Sequence, residues 1–226
     1  MAGTAYAFYC SLMGRLDLQV IENQLKKRWA YPEHWFQKQN DLWDSRSNFI
    51  YNSPDFENLI SSINQEAKLH SLDVQMFFQY AVNRWYNYWS ARAVEQIFCD
   101  IPGVLPAKNA KDRLVDFSID GINFDHKTSV FPRGFGKDLA FAKANLTALI
   151  NWLYANQSTG KRYHRSNRLF LVVFKKDGRH YQLKAEISWL QKLIADYVST
   201  FDSSKLVAVS TPDQKTAFSD IIWAVR

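Results

Sequence analysis

Hydrophobic and polar positions alternate with a period of two on both sides of Asp120-Gly121. Asp-Gly between runs rich in Val, Ile and Phe is typical of a β-hairpin, because a two-residue type I′ turn needs positive φ at both positions. The register that follows from this turn pairs Ile119 with Ile122 and Phe117 with Phe124. Since successive side chains point to opposite faces of a strand, these four share one apolar face.

The other face of the same hairpin is charged. Continuing the register places Asp116 opposite Asp125, with Lys127 two residues further along the strand. Directly opposed like charges destabilise a sheet, so a divalent cation between the two carboxylates is the simplest reason for the pair. A solvated pair of aspartates with Lys127 as a local counter-ion is the alternative.

The first hundred residues carry helical periodicity. Apolar residues recur every three or four positions over Leu16–Ala30 and over Val74–Phe98, so both segments are predicted to be helices. The inward stripe of the second helix turns polar near its end, at Glu95. Either Glu95 pairs with Arg92 or lies at the rim of the core, or it points at the hairpin.

Helices and buried strands follow the hairpin. One amphipathic helix is predicted from Asp138 to about Asn156, and the continuous apolar run Leu169–Phe174 is typical of a central strand covered on both faces. A right-handed crossover makes that strand parallel to an earlier one. The remaining predicted elements are strands at His180–Leu183, Leu206–Val209 and Ile221–Val225, and a helix at Ile187–Val198.

A basic run precedes the central strand. Residues 160–168 contain Lys161, Arg162, His164, Arg165 and Arg168. Basic side chains on a loop give sequence-independent affinity for a phosphate backbone, so this run is a candidate phosphate contact. An ordinary solvated surface loop explains the same residues.

Composition narrows the functional class. The chain has 226 residues and a net charge of +6, which favours a polyanionic partner. Its two cysteines, Cys10 and Cys99, form no CxxC motif, which argues against a zinc ribbon, an iron–sulfur cluster or a secreted disulfide scaffold. No apolar run is long enough to span a bilayer, so we expect an intracellular, cytoplasmic protein without a membrane partner.

Taken in order, these features resemble the PD-(D/E)xK nuclease superfamily, which has the restriction-endonuclease-like fold. Glu95 lies near the end of a helix, Asp116 on one strand, and Asp125-His126-Lys127 on the next. The resemblance covers about residues 88–175, and the residue before Asp116 is Val115 where proline is frequent in the family. It implies an α/β domain over 73–226, a mixed sheet flanked by helices, preceded by a helical N-terminal region over 1–72.

The resemblance also implies roles for these residues. Asp116 and Asp125, with the backbone carbonyl of His126, would bind Mg²⁺, for which Mn²⁺ can substitute. Glu95 would support the metal directly or through water, and Lys127 would hold or activate the attacking water. Candidate DNA contacts are Thr128, Arg133, Lys161, Arg162 and Arg165.

The implied activity is Mg²⁺-dependent hydrolysis of phosphodiester bonds in double-stranded DNA. The size and the added helical region suit a stand-alone type II restriction-like endonuclease, which would act as a homodimer because a two-fold protein matches a two-strand cut. Two other classes remain open. One is a non-catalytic DNA-binding or assembly subunit that retains the fold, and the other is a helical interaction protein with an unrelated α/β domain.

Overall fold

The computed structural model describes residues 15–32, 34, 41–107, 115–156, 166–210 and 216–226. The chain forms two compact units. The helical unit contains residues 16–94 and 184–188, and the sheet unit contains residues 15, 95–183 and 189–226 in their described parts. The division falls between Val94 and Glu95, while the domain boundary at residue 72 stays a prediction.

The helical unit confirms the predicted helices, with shifted ends. Its helices are α1 (Leu18–Lys26), α2 (Asp41–Arg46), α3 (Phe56–Leu69) and most of α4 (Val74–Asp100), with 3₁₀ turns at Lys27–Ala30 and Asn48–Tyr51. Asp17 starts α1, because its carboxylate accepts hydrogen bonds from the first free backbone N–H groups. Arg28 is fully buried and donates to the backbone oxygens of Tyr31 and Pro32, which fixes the chain where the helix ends.

The sheet unit contains a six-stranded mixed sheet in the order β1-β2-β3-β4-β6-β5. Its strands are β1 (Val104–Pro106), β2 (Phe117–Ile119), β3 (Ile122–Val130), β4 (Arg168–Phe174), β5 (Val207–Ser210) and β6 (Thr216–Val225). The first three strands are antiparallel neighbours. Strand β4 is parallel to both β3 and β6, as the predicted crossover requires.

The predicted hairpin register is confirmed up to Phe117. Ile119 pairs with Ile122 and Phe117 with Phe124. Asp120 and Gly121 have φ values of 48° and 78°, the positive values that a type I′ turn needs. The side-chain period of the hairpin therefore follows from its turn.

The predicted pairing of Asp116 with Asp125 is not part of this ladder. The Asp116 N–H donates to the carbonyl oxygen of Phe124 at 2.8 Å, although Phe124 is already the partner of Phe117. Two consecutive residues thus lie against one, which is the arrangement of a β-bulge. The bulge moves Asp116 out of the position directly opposite Asp125 and removes the like-charge pairing.

Helices cover both faces of the sheet. On one face, α5 (Leu139–Ala144) and α6 (Leu146–Asn156) pack on side chains of β4 and β6. The predicted single helix is wrong at Asn145, where the Asn145 side chain donates to the Phe141 carbonyl and the chain turns. The other face carries α7 (Ile187–Ser199) and the C-terminal end of α4, where Phe98 stacks on Phe117.

The strand predicted at His180–Leu183 is wrong. These residues form a 3₁₀ turn, His180–Ala185. Gly178 adopts a φ of 82°, and the Lys175 N–H donates to the ring Nδ1 of His180 at 2.8 Å. This side-chain contact closes a tight turn, so the segment has no extended backbone to add to the sheet.

Phe98 is the contact through which the end of α4 holds the hairpin. Its ring is fully buried, with its centroid 4.2 Å from that of Phe117. We expect Phe98→Ala to lower the free energy of unfolding by about 3–5 kcal/mol, because the buried ring leaves a cavity. Urea denaturation measures this loss, and Phe98→Leu, which fills most of the volume, should lose less. A loss below about 1 kcal/mol for Phe98→Ala would contradict the packing.

Candidate functional site

Asp125 is the centre of the candidate site. It lies on β3 with only 6% of its side chain exposed, although a carboxylate is rarely buried without a partner. Oδ1 contacts the ammonium of Lys127, and Oδ2 lies 3.3 Å from Nε of Arg168. Two cations therefore hold one buried carboxylate.

Strand register brings Arg168 to Asp125. The two are Cα partners across the parallel pair of β3 and β4, and Arg168 is in turn the partner of Ser219 on β6. Parallel partners project from the same face, so Asp125, Arg168 and Ser219 form one polar row. The contact between Arg168 and Asp125 is an ion pair and not a well-aligned hydrogen bond.

Tyr154 of α6 covers this row. The guanidinium carbon of Arg168 lies 4.8 Å from the centre of the Tyr154 ring, which is a cation–π distance. The Tyr154 hydroxyl donates to the carbonyl oxygen of Ser166 at 3.1 Å. Burial raises the pKa of Tyr154 to about 12, so the ring stays neutral and does not compete with Asp125 for the cations.

Asn167 fixes the end of the row. Its carbonyl oxygen accepts from the N–H of Asp125 at 2.9 Å. Its side-chain amide donates to the Asn123 carbonyl at 3.0 Å and accepts from the Phe218 N–H at 2.8 Å. One side chain thus links β3 and β6 across the start of β4, and it holds the backbone at Asp125 in register.

Asp116 contacts the site through the backbone of β3. Oδ2 of Asp116 accepts a hydrogen bond from the N–H of His126 at 2.6 Å. A carboxylate that accepts from a backbone N–H is stabilised in its charged form. The bulge therefore replaces the predicted side-by-side aspartates with a carboxylate fixed against the backbone next to Asp125.

His126 and Thr128 lie on the opposite face of β3. The ring Nε2 of His126 is 3.0 Å from the Thr128 hydroxyl, and the ring packs against Phe98. Burial, with a smaller contribution from the Lys127 charge, lowers the pKa of His126 to about 3. His126 is therefore neutral, and Thr128, a predicted DNA contact, is turned to the face away from Lys127.

Glu95 is not gathered with the two aspartates. Among the residues that the structure describes, no three His, Cys, Asp or Glu side chains lie close enough to hold a metal ion. Phe98, one turn after Glu95, packs on the face of β3 that carries His126. Since Asp125 and Lys127 project from the other face, the end of α4 reaches the sheet from the side away from them.

The predicted basic contacts fall in three different places. Arg168 is buried as the first residue of β4 and not part of a solvated loop, which corrects its prediction as a phosphate contact. Arg133 is exposed in a 3₁₀ turn beyond the far end of β3, and the last residue of that strand, Val130, is already roughly 17 Å along the strand from Asp125 at about 3.3 Å per residue. Lys161, Arg162 and Arg165 lie outside the described residues.

The carboxylate oxygens of Asp116 and Asp125 are the kind of ligand that a divalent cation such as Mg²⁺ takes. Mg²⁺ in proteins is usually bound by one or two carboxylates, and substrate phosphates and water complete its coordination. Asp116 and Asp125 provide two such carboxylates, and Asp116 is bound to the backbone N–H of His126, the residue after Asp125. The three-carboxylate set with Glu95 is not formed within the described ranges.

Sequence reasoning missed Arg168 as a partner of Asp125, and with it Tyr154 and Asn167. The crossover predicts that β4 is parallel to an earlier strand, but it does not give the register. Only the register places residue 168 beside residue 125.

Comparison of the chain with protein-family models, with curated proteins and with solved structures found no match. In the part of the chain that the structure describes, no helix is long and apolar enough to cross a membrane.

The neutral His126 makes stability depend on pH. Its folded pKa of about 3 lies below the ordinary value of 6.5, so the unfolded chain binds one more proton between these pH values. The stability that His126 contributes is present above about pH 6.5 and is lost as the pH falls toward 3. We expect a slope of about 1.4 kcal/mol per pH unit in this window.

The measurement is urea denaturation of wild type and His126→Gln between pH 7.5 and 5. Other groups titrate in both proteins, so the difference between the two slopes isolates His126. Equal slopes would contradict the buried neutral ring.

Proposed function

We propose that this chain is a Mg²⁺-dependent DNA endonuclease that hydrolyses phosphodiester bonds. The observation that carries the proposal is the Asp125–Lys127 pair on β3, with the Asp116 carboxylate bound to the backbone between them. A carboxylate pair and an ammonium at one point of a sheet suit a cation and a phosphate together.

The order of elements supports the same function. Helix α4 is followed by three antiparallel strands, then by α5 and α6, and then by the parallel strand β4. This is the order in which the restriction-endonuclease-like resemblance places a helix, a strand with Asp116, a strand with Asp125 and Lys127, a helix and a buried strand. The short strand β1 precedes β2, although the sequence favours a strand before Asp116 only weakly.

In this proposal, Asp116 and Asp125 hold the cation. When bound, Mg²⁺ supplies a nucleophilic water near neutral pH and stabilises negative charge on the phosphate. Mn²⁺ presents similar chemistry to the same oxygen donors.

The positive charges beside the cation come from Lys127 and Arg168. Lys127 has 44% of its side chain exposed, so its ammonium can leave Asp125 for a phosphate oxygen or for the attacking water. A positive charge fixed where negative charge develops is the largest single contribution in many hydrolases. Arg168 stays against Asp125 beneath the surface.

Double-stranded DNA and a homodimer complete the proposal. The net charge of +6 favours a polyanion, and cutting two strands suits a two-fold assembly. Arg133 and the other predicted contacts, Lys161, Arg162 and Arg165, would bind phosphates of the DNA.

A non-catalytic DNA-binding or assembly subunit is the second candidate. The observation that favours it is that Asp125 is already neutralised by Lys127 and Arg168. A buried carboxylate between two cations also serves as a structural ion pair. In that case Asp125→Asn would leave DNA binding unchanged, and the wild type would not cleave.

Plasmid cleavage with and without Mg²⁺ separates the two candidates. We expect Asp125→Asn and Lys127→Met to lower cleavage at least about 100-fold, because each removes a group at the reacting centre. Glu95→Gln should lower cleavage less than about tenfold, since Glu95 lies outside the two-aspartate set.

Lys175→Met is the matched control for Lys127→Met. Lys175 also pairs with an aspartate, Asp177, but it follows the far end of β4. Cleavage that needs no Mg²⁺, or that survives Asp125→Asn, would refute the proposal. A fall for Glu95→Gln as large as for Asp125→Asn would place Glu95 in the metal site after all.

A further inference from the structure

We propose that Arg168 sets the charge of the Asp125 site, so that the site holds a divalent cation only together with an anionic phosphate. The inference rests on the proposed function, because it concerns the same cation and the same carboxylates. It deepens that function by making the DNA phosphate a condition for metal binding.

The charge count at Asp125 is the first step. One carboxylate contacts two cations, Lys127 and Arg168, so the three side chains together carry +1. The Asp116 carboxylate, bound at the neighbouring backbone, brings the set of four to zero. While Lys127 stays in place, a divalent cation that enters alone therefore finds no net negative charge among these four side chains.

The Lys127 and Arg168 side chains differ in how freely they can move. The Lys127 side chain is 44% exposed, and its flexible stem can carry the ammonium into water. Only 5% of the Arg168 side chain is exposed. Its strand position beside Asp125 and the Tyr154 ring at 4.8 Å hold the guanidinium in place. An entering cation can displace Lys127, but Arg168 stays.

Arg168 also limits what Asp125 can offer. Its Nε lies at Oδ2, whereas Lys127 lies at Oδ1. After Lys127 leaves, Oδ1 is available to a cation while Oδ2 remains against a positive charge. With Lys127 displaced, Asp125, Asp116 and Arg168 together carry −1. This balances only half of a divalent charge, and a phosphate with its own negative charge supplies further oxygen ligands and the remaining charge.

The test measures Mn²⁺ binding by calorimetry, with no cleavage readout. Wild type alone should bind Mn²⁺ at least about tenfold more weakly than wild type with a mixed-sequence DNA duplex. Asp125→Asn, titrated with and without the duplex, gives the background from other sites and from the DNA itself.

Arg168→Met removes the permanent cation and keeps an unbranched side chain. We expect it to bind Mn²⁺ alone at least about tenfold more tightly than wild type, because the site then carries a net negative charge. Arg168→Lys keeps the charge and should stay weak. Arg179→Met is the matched control, since Arg179 pairs with Asp177 beyond the far end of β4 and should have no effect.

Three results would overturn the inference. One is Mn²⁺ binding to wild type alone that depends on Asp125 and is as tight as with the duplex. Another is a folded Arg168→Met that binds no more tightly than wild type. The third is equal tightening by Arg179→Met. If Arg168→Met does not fold, the comparison of wild type with and without the duplex decides.

Failure of the proposed function gives a different pattern. Wild type that binds Mn²⁺ with the duplex but leaves plasmid uncut would refute the endonuclease and keep the charge inference. Wild type that cleaves the plasmid but binds Mn²⁺ equally well without DNA would do the reverse.

Discussion

The buried ion pair between Asp125 and Arg168 joins β3 to β4 where the parallel part of the sheet begins. Removing one partner of a buried pair costs about 3–5 kcal/mol, because the other charge stays buried without compensation. Two neighbouring residues hold the groups of this pair in place. Asn167 holds the backbone of Asp125, and Tyr154 covers the guanidinium. The candidate site is thus built around this buried ion pair.

The alternation of β3 divides its chemistry between two faces. Asp125 and Lys127 face the side covered by α5 and α6, since Lys127 is the partner of Phe170 in that core. His126 faces the end of α4, where burial keeps its pKa low and its ring neutral. A neutral ring adds no further positive charge beside Lys127. The two faces therefore separate the charged chemistry from the packing that fixes the hairpin.

A single buried carboxylate between two cations links the two candidate functions. In a nuclease, the exposed Lys127 would move to the phosphate while Arg168 stays against Asp125. In a structural subunit, the same contacts would serve only to stabilise the fold. The difference is whether Lys127 leaves Asp125, and that depends on the charge of whatever approaches the site.

The sequence by itself determined the hairpin, its turn and its register up to Phe117, because Asp120-Gly121 and the period of two leave little choice. It also determined the buried β4 and the parallel crossover. Only the tertiary structure decided the bulge at Asp116, the side from which α4 arrives, and the partner of Asp125. Local patterns give the faces of one strand, whereas the register between strands distant in sequence depends on how whole elements pack.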